Sequence, residues 1–173
     1  FEAVLSGFYS KGTDIIDWVY PTAESKKYQA MNIGKLDNMG YSVDAALHLQ
    51  ELLPKFFITR IKAGYAFIHQ KHSTDGDVFG SLYALEYLRH KATLQLDHRI
   101  WRQLTASWAL RWQERMNGYH PYTKVDVRLQ WSAPTYNIYV KADNITNHHY
   151  YDLGNVKQPG IWIMAGASVK LKF

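Results

Sequence analysis

Almost the whole chain alternates apolar and polar side chains with a period of two, and the connections between the alternating segments are short and long in turn. A period of two sends successive side chains to opposite faces of an extended backbone, so each segment carries one apolar and one polar face. The clearest segment is 88–100. Leu88, Ala92, Leu94, Leu96 and Ile100 share one face; Arg89, Lys91, Thr93, Gln95, Asp97 and Arg99 share the other. His90 and His98 are the two imperfections on its apolar face.

The same pattern recurs along the chain. Leu104, Ala106, Trp108, Leu110 and Trp112 oppose Thr105, Ser107, Arg111 and Gln113. Val125, Val127, Leu129 and Trp131 alternate with Lys124, Asp126, Arg128 and Gln130. Tyr136, Ile138, Val140 and Ala142 alternate with Asn137, Lys141 and Asp143, and the last segment runs from Ile161 to Phe173. In the first half, Tyr41 to Leu49 and Ile61 to Phe67 repeat the theme, and residues 2 to about 19 read as a less regular strand. The expectation is all-β: an antiparallel up-and-down meander of eight strands with no helix.

The connections narrow the architecture. Residues 51–56, 101–103 and 132–135 are short links; 20–39, 69–86, 114–122 and 144–160 are long and polar. Strict alternation of short and long ends suits an outer-membrane barrel, with short turns on one side of the bilayer and long loops on the other. Trp101, Trp131 and Phe173 lie near the short-turn ends; Trp18, Trp112 and Trp162 lie near the long-loop ends. Amphipathic rings favour the two membrane interfaces, so two aromatic belts are expected. The apolar face then meets lipid and the charged face a wet lumen. A soluble ligand-binding β-barrel, with its apolar face inward, has the same alternation and stays open as an alternative.

Composition removes several other classes. With no cysteine there are no disulfides, thiolate metal sites or Cys nucleophiles. A net charge of +5 is too mild to argue for nucleic acid. No apolar run is long enough for a transmembrane helix, and the first residues lack a signal peptide's basic start. The chain opens on a strand-like pattern without Met, as a piece of a longer protein would. No nucleophile-elbow, phosphate-loop or zinc-protease motif occurs, so no enzyme and no cofactor is expected. No His pair has ligand spacing, so no metal site is expected. Asp75-Gly-Asp77 reads as a polar loop rather than a calcium loop, lacking the further ligands.

One stretch is more specific. Tyr136-Asn-Ile-Tyr-Val-Lys-Ala-Asp-Asn-Ile-Thr-Asn-His-His-Tyr-Tyr151, then Gln158-Pro-Gly-Ile-Trp162, then a strand ending in Phe173, resembles the C-terminal end of TonB-dependent outer-membrane receptors. Asn144, Pro159 and Gly160 are the signature positions, and Phe173 matches the terminal aromatic that the barrel assembly machinery recognises. Ile161 departs from the Arg that often follows Pro-Gly in the family. Phe8-Tyr9, 14–18 and 32–41 are similar to earlier strands of such receptors, so the resemblance spans nearly the whole chain.

The resemblance implies a barrel of about 22 strands with a plugged lumen. Residues 1–173 would be a single C-terminal barrel segment, with the N-terminal plug domain and earlier strands absent. It implies the bacterial outer membrane as location, outer-membrane lipid and the TonB energy coupler as partners, and import of a scarce large nutrient. Ferric siderophore, haem, cobalamin and glycan are the classes, the wording around Asn155-Val-Lys-Gln-Pro-Gly-Ile-Trp162 being closest to cobalamin-type receptors. His148, His149, Tyr150 and Tyr151, an aromatic and donor-rich patch in the last long loop, are the candidate ligand contacts. A complete small eight-stranded outer-membrane barrel, structural, adhesive or hydrolytic, is the other alternative.

Overall fold

The computed structural model describes residues 1–73, 79–81, 87–116, 118–152 and 156–170. Its strands are β1 (Glu2–Gly12), β2 (Ile16–Tyr20), β3 (Gln29–Asn32), β4 (Lys35–His48), β5 (Ile58–Ser73), β6 (Gly80–Ser81) and β7 (Leu88–Trp101). They continue as β8 (Leu104–Arg115), β9 (Tyr122–Ser132), β10 (Tyr136–Asp143), β11 (Tyr151–Asp152), β12 (Val156–Lys157) and β13 (Trp162–Val169). A single helical turn, α1 (Leu49–Leu52), sits in the first short connection.

Eight strands make one antiparallel sheet in the order β1-β4-β5-β7-β8-β9-β10-β13. Each pairs with the neighbours that precede and follow it among these eight, as the meander predicts. The sheet is open, with β1 and β13 at its edges. The strand boundaries differ from the sequence expectation. The opening stretch is not one strand to Val19: β1 ends at Gly12, Asp14 takes a left-handed backbone (φ 55°), and β2 leaves for a small sheet of order β3-β2-β6. β4 starts at Lys35 and β5 runs to Ser73, so His69 and His72 lie in a strand rather than at the start of a loop. Phe173 and Asp75-Gly-Asp77 lie outside the described residues.

Register fixes which residues share a face. Asp44 pairs with Gly64, Gly64 with Thr93, Thr93 with Arg111 and Arg111 with Lys124. These belong to the polar face, onto which a trough of about 540 Å³ opens across β1 to β9, walled by Glu2, Asp44, Lys62, Lys91, Arg111 and Asp126. A second trough of about 460 Å³ follows around Arg60, Gln95, Asp97 and Arg128. Opposite charges meet there: Arg60 contacts Asp97 at 2.6 Å, Lys124 contacts Asp126 at 3.3 Å and Lys141 contacts Asp143 at 2.8 Å. Arg128 stacks on Tyr139 at 4.1 Å, and that ring covers Gly166, where a Cβ would come within 2.6 Å of it.

Among the described residues no layer covers the apolar face. Leu94 is 47% exposed, Leu110 39%, Leu129 43%, Val140 47% and Ile163 69%. Among the described residues the buried apolar side chains are only Val19, Ile33, Leu36, Ala46, Ala106 and Tyr122. A soluble domain of this size buries a core between layers; here the apolar surface lies on one face of one sheet.

Two rows of rings bound that face. Near the long connections, Tyr41 meets Phe67 at 5.7 Å, Phe67 meets His90 at 5.0 Å and His90 meets Trp112 at 6.2 Å. Near the short turns, Trp101 meets Trp131 at 6.3 Å and Phe57 meets His98 at 6.3 Å. Both histidines that interrupt the apolar alternation therefore stand in the ring rows. His90 Nδ1 is hydrogen-bonded to the Tyr65 hydroxyl at 2.7 Å, and the Trp108 indole N–H donates to His98 Nε2 at 3.1 Å. Two of the tryptophans expected in the belts are elsewhere. Trp18 lies in β2, in the small sheet, and Trp162 pairs with Asp143 on the polar face.

Candidate functional site

All four long connections leave the sheet at the same end, because an up-and-down meander puts every second link on one side. Backbone and side-chain hydrogen bonds tie the first of them to the second. Phe79 N–H donates to the Tyr20 carbonyl at 2.9 Å, and the Ser81 hydroxyl donates to the buried Asp17 carboxylate. β2 pairs with β6 through Val19 and Ser81, which joins the first long connection to the second.

The last long connection is organised by one side chain. Asn144 is 1% exposed and has a left-handed backbone (φ 53°), a conformation asparagine tolerates better than most residues. Its amide nitrogen donates to the carbonyls of His148 (3.0 Å) and Pro159 (3.2 Å). Its amide oxygen accepts from His148 N–H (3.0 Å) and the Thr146 hydroxyl (3.3 Å). Its backbone N–H donates to Asp126 on the adjacent strand at 2.7 Å. Asn147, also left-handed (φ 50°), accepts Ile161 N–H at 3.2 Å, and Gly160 passes so close to the same oxygen that a Cβ there would overlap it. The signature positions Asn144, Pro159 and Gly160 are thus the clasp that pins 144–161 over the sheet end.

That clasp holds His148 in place and carries the chain into Tyr150, whose carbonyl accepts Gln158 N–H at 3.0 Å. His148, His149, Tyr150 and Tyr151, the contacts expected from sequence, all line one cleft of about 730 Å³. The same cleft takes Tyr20 and Tyr28 from the first long connection, Phe79 and Ser81 from the second, and Tyr119 and His120 from the third. Sequence reasoning had no means of adding those residues. Each is an ordinary loop residue by itself, and only the folded arrangement gathers them.

Rings dominate the cleft wall. Tyr20 and Tyr28 stack at 4.0 Å and 31°, and Tyr122 and Tyr150 at 4.2 Å and 30°. Burial raises the Tyr150 phenol above the usual tyrosine value; Arg111 opposes the rise, and Asp152 adds to it. Tyr150 is therefore a neutral hydroxyl, able to donate and accept, throughout the physiological range. Beside Tyr151, the Arg115 guanidinium reaches Asp152 through Nη2 at 2.6 Å and Nε at 2.7 Å, so each charge has its counter-charge. Among the described residues no three His, Asp or Glu side chains converge as a metal-holding group.

No protein-family model and no curated protein matches the chain. Solved structures do. The FrpB iron transporter from Neisseria meningitidis superimposes in its F5-1 variant, apoprotein form, with a TM-score of 0.70 at 16% identity, over 95% of this chain and 28% of that one. Its F3-3 variant gives 0.69 at 16% identity, over 95% and 27%. The copper transporter OprC gives 0.72 at 16% identity, over 98% and 28%. The chain thus has the fold of part of these transporters and spans a little over a quarter of their length (28% for FrpB F5-1). Likeness at this identity speaks to the fold.

Proposed function

We propose that this chain is the C-terminal barrel segment of a TonB-dependent active transporter of the bacterial outer membrane. One observation carries the reading. The eight-stranded meander exposes its apolar side chains on one uncovered face, bounded by two rows of rings, and turns its charged side chains to the troughs on the other. In water such a face is an aggregation hazard; in lipid it is the outer wall of a barrel. Between the ring rows, Leu104 to Trp112 spans about 26 Å along the strand, or roughly 20 Å along the membrane normal at the usual tilt, near the height of a barrel's apolar band. A soluble ligand-binding barrel requires the opposite polarity.

On this reading the chain performs no covalent chemistry. It supplies wall, outer loops and, through Phe173, the signal read by the barrel assembly machinery. Plug, earlier strands and coupler-binding segment come from other parts of the protein. The cleft at the loop end receives the nutrient, and the coupler pulls the plug to open a path. Siderophore-bound iron, haem, cobalamin and glycans are the cargo classes, and the fold neighbours named as iron and copper transporters favour a metal-bearing one.

Deleting the gene should abolish uptake of a scarce nutrient, and a protonophore should stop that uptake in wild-type cells. Protonophore-insensitive uptake, or a full-length protein that stays monomeric in buffer without detergent, would sink the proposal.

A further inference from the structure

Past the ring row at the long-loop end, β1, β4 and β5 continue together in unbroken register. Alternate side chains of a strand share a face, so the odd-numbered positions of all three carry on the apolar face. Tyr9, Met39 and His69 form the first row beyond the Tyr41–Phe67 pair. Lys11, Asp37 and Lys71 form the second, and Lys35 with Ser73 the third. Tyr9 is 58% exposed and Met39 44%, like the wall below them. Lys11, Lys35 and Lys71 are exposed too. The opposite side of the same segments holds the buried Leu36 and the Asn38–Gln70 hydrogen bond, so the two sides stay distinct to the strand ends.

The lysines are not committed to carboxylates. Asp37 is in register with both Lys11 and Lys71, yet among the described residues none of the three lysines forms an ion pair. Lys11 instead turns its ammonium back over the Tyr9 ring at 5.8 Å, towards the wall. Asp14, just beyond β1, accepts a hydrogen bond from Asn32. Glu114 lies in the row of Phe67 and His90, two strands beyond β5. Three lysines against Asp37 leave these rows with a positive surplus.

Their height matters as much as their charge. Lys11 and Lys71 stand four residues past Gly7 and Phe67. That is ~13 Å along the strand and roughly 10 Å along the membrane normal at the usual tilt. The headgroup layer starts near the ring row and is about 5–8 Å deep. Long lysine stems reach back into it, as Lys11 does. The patch continues the wall, so whatever lies against the wall rises beside the lysines. Against a lipid-facing wall that occupant is a headgroup, and the complement of surplus ammonium groups is phosphate.

We infer that, given the membrane-wall reading above, Lys11, Lys35 and Lys71 hold the phosphate-bearing headgroup of a lipid in the leaflet on the long-loop side. Tyr9 and Met39 mark the level where its headgroup gives way to its chains, and the chains lie along the apolar wall below.

The test places the full-length protein in phosphatidylcholine vesicles carrying a fluorescent bisphosphorylated lipid A or its dephosphorylated form. Energy transfer from the protein's tryptophans reports binding. The bisphosphorylated lipid should bind about tenfold or more tighter, and rising salt should narrow the gap. Lys11→Gln and Lys71→Gln should each weaken it about fivefold, and the triple variant with Lys35→Gln by more than either. Asp37→Asn should tighten it, a gain that a merely loosened wall would not give. Lys55→Gln removes the same charge from the first short connection and should leave binding unchanged. Equal affinity of the two lipids, or a triple variant that binds like wild type, overturns the inference. So does a triple variant that keeps its lipid and loses an acidic protein instead. Equal lipid affinity beside protonophore-sensitive uptake overturns the inference and leaves the transport reading standing. A full-length protein that does not insert into the vesicles overturns both.

Discussion

Asn144 shows how much one side chain can decide. Its amide closes four hydrogen bonds while almost fully buried, and each holds a backbone or hydroxyl group of the same loop. Asn144→Ala leaves those groups to find other partners, and each buried orphan costs about 1–3 kcal/mol. The expected result is a folded barrel wall with a loosened loop: proteolysis within 144–161 should speed up by about tenfold or more, while strand signals by circular dichroism stay unchanged. Asn144→Asp should not restore protection, because the carboxylate cannot donate to the His148 and Pro159 carbonyls. The importance of Asn144, Pro159 and Gly160 was legible only through resemblance. Their physical role was not, because the partners are main-chain atoms brought near by the loop's own folding. The two histidines on the apolar face look like errors in a linear pattern and are resolved only by the strand register, which places Tyr65 and Trp108 beside them.

At the scale of the strand, the alternation located all eight members of the main sheet and their order. It missed where they end. Lys35 to Gly40 and Ile68 to Ser73 extend β4 and β5 past the Tyr41–Phe67 ring row, where no continuous apolar face is called for and the alternation that marks the wall stops. It also missed β2, β3 and β6 as separate elements, because they are short and β6 joins β2 only through residues far apart in sequence, Val19 with Ser81. The polarity of the wall gives a sharp expectation. Val127 stands on the apolar face, paired with Trp108, midway between the ring rows. Val127→Arg should destabilise the protein in bilayers by about 2–4 kcal/mol. Ala109→Lys, on the polar face opposite Asp126, should stay within about 0.5 kcal/mol of wild type. Urea titration in lipid vesicles measures both; equal effects would reverse the assignment of the faces.

For the molecule as a whole, the absence of cysteine is an experimental convenience. Single-cysteine variants can be placed at neighbouring positions without competing thiols. A membrane-impermeant maleimide should label Ala109→Cys readily and Leu110→Cys slowly in vesicles, and the difference should vanish once the lipid is replaced by urea. The two faces and the loop end were legible before the structure; the cleft was not. Its ten described rings and imidazoles come from all four long connections, and their meeting is a property of the folded loops alone.

The order of the main sheet has a consequence for how such a chain is built and varied. Every pairing in the wall joins strands that are successive among its eight members, so contacts across the sheet are local in sequence for their number. Each hairpin can zip onto the one before it, without waiting for a distant partner to arrive. The long connections take no part in that zipping. Their residues are therefore free to be exchanged for others by insertion or substitution, leaving the wall's assembly untouched. One scaffold of this kind can be retuned for a new cargo one loop at a time.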